Sequence, residues 1–337
     1  MEPVSVVIPT YNRAALLPAA IDSVLRAVDD GDEIIVADDG STDSTACAVR
    51  RFAPRVRHLA LPHRGAGAAR NAGIAASAHD LVAFADSDDE WLPNRLRWQR
   101  PLLSAESGLV FAFSDFGQLY PDGRREMSYV RRWSGDQRGW DAILGPARRL
   151  AEFLAAPTAG EGGVAVHVGS LYGAELQANY VNVNTVLVRR SAAGDSLRFA
   201  DDLPTFEDWD CFARLSRRGP CAYVDGPTAL QRTHDGPRLT DSSLAVRLQA
   251  RLTVIERNWG SDPDFLGRNG RSVARTVYRL RRSLARYWLL AGHRAEARRI
   301  LAQLDGVALE RLAARLPPSL LRLAGPAIRG WRHLAAP

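Results

Sequence analysis

The chain has 337 residues, 46% hydrophobic and 24% charged, the make-up of a soluble globular protein with room for one large α/β domain and an appendage. Its three scattered cysteines, Cys47, Cys211 and Cys221, offer neither a disulfide framework nor metal-ligand spacing, which favours a reducing compartment. The net charge of +6 is uneven: from Ala245 onward 18 arginines face 6 acidic residues and the rest of the chain is acidic, so the two parts are expected to meet different partners.

The opening MEPVSVVIPT lacks a signal-peptide pattern, and no apolar run reaches the roughly 18 residues of a spanning helix, so a cytoplasmic, non-integral protein is expected. From the start, short apolar β-branched runs alternate with helical spacing. Strands are expected at Val4–Ile8, Glu33–Ala37, Val56–Leu61, Leu81–Ala85 and Leu109–Phe113, with helices at Ala14–Val28, Asp43–Arg51 and Gly67–Ser77 between them. That alternation predicts a mostly parallel sheet covered on both faces, which binds ligands at the carboxyl ends of its strands. PTYN, DDGSTD and DSDDE all fall at that edge. Residues 116–180 read as loops and short elements. A strand is expected at Tyr180–Arg189, a helix at Phe206–Arg218 and a short strand at Ala222–Asp225, and from Leu244 the pattern is helical.

FADSDDEW crowds Asp86, Asp88, Asp89 and Glu90 into five positions. Carboxylates so close repel one another unless a cation sits among them, and all-oxygen ligands favour Mg²⁺ or Mn²⁺ over softer metals. An EF-hand is excluded, because Trp91 stands where that loop needs glycine. In HRGAGAARNAG, Arg70 takes the third glycine position of a dinucleotide fingerprint. A helix amino end that faces phosphate oxygens together with Arg70 is the better use. Asp38 and Asp39 stand before the residues that can cap the next helix, placed to accept a base N–H. Glu207, Asp208 and Asp210 open an amphipathic helix, where a carboxylate favours the helix dipole or serves as general base. His234 sits between Arg232 and Arg238.

In order and in register, VSVVIPTYNRAALLPAAIDSVL, EIIVADDGSTDST, HRGAGAARNAGIAAS, DLVAFADSDDEWLPNRL and FEDWDCFARLSRRG resemble the family 2 glycosyltransferases of GT-A fold. The resemblance is close over residues 3–115 and looser over 180–240. It implies a catalytic domain over residues 1–240, with a nucleotide-sugar half (1–115) and an acceptor half (116–240), followed by a basic helical extension over 241–337. It implies inverting transfer of a sugar from a nucleotide diphosphate, a UDP-sugar being favoured, to a hydroxyl of a glycan or lipid-linked glycan, with Mn²⁺ or Mg²⁺ as cofactor. On that template Thr10, Tyr11 and Asp39 bind the nucleobase, Asp38 supports their loop, and Arg70 lies near the base or diphosphate. Asp86 holds the ribose, Asp88 or Asp89 the metal with Asp88 favoured, and His234 completes the metal sphere or meets the diphosphate. Asp208 is the general base, with Glu207 and Trp209 beside it as acceptor-binding residues, the Trp209 ring either stacking on an acceptor sugar or packing in the core. The basic end of the chain suits an anionic membrane surface at the inner face of the membrane, self-association, or packing on the catalytic domain. A nucleic-acid partner is not expected, since the arginines are spread around helices. The competing reading is a non-catalytic nucleotide-sugar-binding or scaffold protein of the same fold.

Overall fold

A computed structural model describes residues 1–233 and 242–315. They form two compact units, 1–202 with 207–233, and 203–206 with 242–315.

In chain order the first unit runs β1 (Val4–Thr10), α1 (Leu17–Leu25), β2 (Glu33–Asp38), α2 (Thr45–Arg50), β3 (Val56–Ala60), α3 (Ala66–Ala76), β4 (Leu81–Phe84), β5 (Glu90–Trp91) and α4 (Arg95–Ala105). It continues with β6 (Phe111–Leu119), β7 (Arg125–Glu126), α5 (Val130–Ser134), α6 (Trp140–Leu144), β8 (Arg148–Arg149), β9 (Ala165–Gly169), α7 (Tyr172–Glu175), β10 (Leu187–Arg189), α8 (Arg190–Ala193), α9 (Glu207–Arg218) and β11 (Cys221–Arg232). The strands join one sheet in the order β3-β2-β1-β4-β10-β6-β11-β9-β8, with β5 beside β11 and β7 beside β6. The first four are parallel, with Thr10 opposite Asp38 and Val7 opposite Phe84. Their carboxyl ends therefore share one edge.

Every residue of β1 is buried, as a central parallel strand covered on both faces requires. Alternation divides its side chains: Val4, Val6 and Ile8 pack with Ile21 and Val24 of α1, while Val7 packs with Phe84, Phe111 and Phe113 on the opposite face. Helix α3 lies directly on that second face. A Cβ added to Gly73 would come within 2.3 Å of Val7 Cγ1, so only glycine allows this approach.

Three expected strands take a different form. The Tyr180–Arg189 strand divides into a 3-10 turn at Val183–Thr185 and the short β10, because the Asn182 side chain accepts the Asn184 N–H and turns the backbone out of the extended form. β10 is antiparallel to β4 and to β6, so the residues that precede it emerge at the carboxyl edge of β4. The Leu109–Phe113 strand starts at Phe111 and extends to Leu119, and the Ala222–Asp225 strand lengthens to Cys221–Arg232. Gly226-Pro227 reads as a terminator, yet the strand absorbs the proline at an irregularity in its pairing with β6.

In the second unit, α10 (Leu244–Asn258) starts at Ser243, whose hydroxyl accepts the Val246 N–H. α11 (Pro263–Leu290) starts with Pro263 behind the Asp262 cap, and α12 (Arg294–Leu301) and α13 (Ala308–Ala313) follow. Glu310 of α13 is buried and pairs with Arg282 and Arg286 of α11. Among the described residues no helix is long and apolar enough to cross a membrane.

Candidate active site

The carboxyl ends of β1 and β2 are laced together. The Asp39 N–H donates to the Thr10 carbonyl, and Asn12 Oδ1 accepts the Thr42 N–H at 2.8 Å. Asn12 adopts a left-handed φ of 51° to do so. Asp38 is buried and accepts from the Ser41 N–H (2.9 Å), with His58 Nε2 at 3.0 Å from its other oxygen. Asp39 is also buried, and its two oxygens accept the N–H groups of Arg64 (2.7 Å) and Gly65 (2.8 Å). It thereby anchors the loop that leads into α3. Tyr11 is 40% exposed and stacks on His63 with ring centroids 4.1 Å apart. Thr10 is buried, and its hydroxyl has no hydrogen-bond partner among the described residues.

Arg70 of α3 is nearly fully buried. Its guanidinium donates to Asp86 at 2.9 Å and to Glu207 at 2.8 Å, so one fork joins the end of β4 to the start of α9. Sequence spacing points Arg70 toward ligand oxygens; in the fold it clamps two carboxylates. The acids in turn hold its pKa above the ordinary arginine value against the opposing effect of burial. Asp86 is shifted upward, first by burial and then by the charges of Asp88 and Glu207, with Arg70 opposing. Asp208, one residue beyond the clamp, is pushed up to about 7, chiefly by desolvation and by the neighbouring charge of Glu207. Two residues before it, Phe206 has a φ of 64°, an uncommon conformation for a bulky residue and of the kind that gathers at functional sites.

The acidic loop has a partner that the sequence did not signal. Asn184, 2% exposed, accepts the Asp86 N–H through Oδ1, while its Nδ2 donates to both Asp86 Oδ2 and Asp89 Oδ2. Asp89 is buried, its other oxygen accepting the Arg232 N–H at 2.9 Å. Asp88 stands between them with 22% of its side chain exposed, 3.5 Å from Arg13. Asn184 could have been singled out only by knowing that β10 returns antiparallel beside β4.

Trp209 is 1% exposed, so its indole is buried and offers no open face to an acceptor sugar. His234 lies outside the described residues. A cleft of about 510 Å³ lined by His79, Asp80, Arg190 and Ser191 lies at the opposite end of β4, remote from these acids. Its polar groups already bond one another or nearby carbonyls.

Among the described residues no three His, Cys, Asp or Glu side chains are placed to hold a metal ion by themselves. The donor set nevertheless fits a Mg²⁺-like ion, which is commonly held by one or two carboxylates and completed by substrate phosphates and water. Asp86 and Asp89 bond Arg70, Asn184 and Arg232, and Asp88 lies between them beside Arg13.

The glycosyl transferase family 2 model matches residues 5–139. The succinoglycan biosynthesis protein ExoO of Rhizobium meliloti (strain 1021) is 30% identical over 343 residues, covering 99% of this chain and 87% of that protein. WfgD of Escherichia coli, a UDP-Glc:alpha-D-GlcNAc-diphosphoundecaprenol beta-1,3-glucosyltransferase, is 32% identical over 115 residues, 34% of this chain and 45% of that one. An uncharacterized glycosyltransferase of Nostoc sp. is 40% identical over 98 residues, 28% of this chain and 30% of its own length. Two uncharacterized glycosyltransferases of Rickettsia are matched over only 18% and 20% of theirs. Among solved structures, S. aureus TarS 1-349 in complex with UDP-GlcNAc superposes with a TM-score of 0.56 at 15% identity, covering 99% of this chain and 88% of that one. The mannosyltransferase PcManGT from Pyrobaculum calidifontis, in complex with GDP-Man and Mn²⁺, gives 0.55 at 17% identity, with 98% and 83% covered. At such identities the structures establish the shared fold alone.

Proposed function

The chain belongs to glycosyl transferase family 2, and on that premise we propose that it transfers a sugar, with inversion, from a nucleotide diphosphate donor to an acceptor hydroxyl. The observation that carries the reading is the Arg70 clamp, which holds Asp86 and the start of the Asp208 helix at one sheet edge.

The base and ribose lie over the carboxyl ends of β1 and β2. Tyr11 offers the base a face, and the Asp38 and Asp39 loops form the floor. Asp86, its carboxylate fixed by Arg70 and Asn184, retains lone pairs that accept the ribose hydroxyls. Asp88 holds Mn²⁺ or Mg²⁺ together with the donor diphosphate. When bound, that ion offsets the negative charge that grows on the leaving group. Asp208, made more basic by burial and by Glu207, takes the proton from the attacking acceptor hydroxyl. Attack from the face opposite the diphosphate needs one base and no covalent intermediate, hence inversion.

The two parts of the chain take separate roles in this reading: residues 1–240 are catalytic and 241–337 are an appended basic extension. A UDP-sugar donor and a glycan or lipid-linked acceptor are supported by the name of WfgD. The basic extension suits an anionic membrane surface or self-association, with the catalytic part in the cytoplasm. Calorimetric titration of UDP with Mn²⁺, then with EDTA, and again on Asp88→Ala tests the donor site. Metal-dependent binding that the substitution abolishes is expected. Silence of the folded protein toward UDP, GDP and dTDP alike refutes the transferase reading in favour of a scaffold.

A further inference from the structure

We propose that Asn184 is the positioning residue of the acidic loop, its one side-chain amide hydrogen-bonding both Asp86 and Asp89 and so holding the loop that carries Asp88, the carboxylate assigned to a divalent cation. The inference rests on the donor-site reading and assigns the roles of three neighbouring aspartates.

The amide orientation follows from its partners. Oδ1 faces a backbone N–H, that of Asp86, and Nδ2 faces two carboxylate oxygens, which only a donor can satisfy. A carboxylate or an apolar group at position 184 would leave Asp86 and Asp89 facing each other without a donor between them. The residue is also held from behind. Its main-chain carbonyl accepts from Arg95 Nε at 3.0 Å, the Thr185 carbonyl from Gln99 at 2.7 Å and the Val186 carbonyl from Arg95 at 2.7 Å. Arg95 and Gln99 are fully buried in α4, so three successive carbonyls are fastened to one rigid helix. Asn182 closes the turn from the other side, where its side-chain oxygen accepts the Asn184 N–H at 2.9 Å. Such a shelf lies outside the ligands themselves and sets the direction in which one of them points.

Asn184→Asp, which keeps the shape, and Asn184→Ser, which keeps one donor, are compared with the unaltered protein for UDP affinity by calorimetry, each with Mn²⁺ and with EDTA. The Asp variant is expected to lose about 10- to 100-fold in affinity with Mn²⁺ and a clearly smaller amount with EDTA, where only the ribose contact of Asp86 is disturbed, the Ser variant falling between. A loss of equal size in Mn²⁺ and EDTA overturns the proposal, because a general structural role acts on both. Wild-type affinity in folded variants overturns it too, while leaving the donor site intact. If the unaltered protein binds no nucleotide diphosphate, it is the transferase reading that fails. Should the Asp variant not fold, the Ser variant and Asn184→Ala carry the same comparison.

Discussion

Glu175 at the end of α7 is completely buried, with the Ser216 hydroxyl beside its carboxyl group. Burial raises its pKa from the ordinary 4.5 to about 8, with the Ser216 hydroxyl opposing the rise and the charge of Asp208 adding a smaller part to it. Below pH 4.5 the group is protonated in both folded and unfolded chains, and the folded state bears no penalty. Between 4.5 and about 8 the folded protein keeps a proton that the unfolded chain has released, so stability falls as pH rises, by about 1.4 kcal/mol per unit. The loss reaches about 4 kcal/mol at pH 7.5 and levels off near 5 kcal/mol above pH 8. Glu175→Gln cannot ionise, and the cost of burying its amide does not depend on pH. The difference in unfolding free energy, variant minus wild type, is therefore expected to rise by about 4 kcal/mol from pH 4.5 to 7.5. Denaturant titrations followed by tryptophan fluorescence at intervals across that range measure it. A difference constant to within about 1 kcal/mol refutes the reasoning, since it would mean that the carboxyl ionises in the folded state as it does in the unfolded chain.

The same physics sets the expected rate profile. In the proposed mechanism Asp208 acts as carboxylate, so kcat/KM should climb as pH rises through about 7 and flatten above it. Asp208→Asn should lower kcat about 10²- to 10⁴-fold without weakening UDP binding; an acid limb that survives in that variant assigns the titration elsewhere. Arg70→Ala strands Asp86 and Glu207 and should destabilise the protein by about 3–5 kcal/mol in denaturant titration. Arg70→Lys, with the charge but not the fork, should recover only part of this; full recovery would show that geometry is unimportant at the clamp. Gly73→Ala should cost about 1–3 kcal/mol through its clash with Val7. Val7→Ala in the same chain should relieve part of that cost, and strict additivity of the two changes would deny the contact.

The sequence alone determined the alternation of strands and helices through Phe84, because a buried parallel strand is a short β-branched run and an amphipathic helix repeats every three to four residues. It also located Asp38, Asp39, Asp86 and Asp208 at strand ends and at a helix start, since local signals mark those boundaries. What each of these groups bonds was decided only by tertiary structure. Arg70 meets Glu207 across 137 residues, and Asn184 meets Asp86 across 98. No local period or spacing encodes such pairings. They arise because β10 returns antiparallel beside β4 and because α9 begins at the same sheet edge. The burial of Trp209 and the passage of β11 through Pro227 are of the same kind. An aromatic beside acids, or a proline in an apolar run, has two outcomes in a sequence, and it is the neighbours packed against it, distant in the chain, that select one.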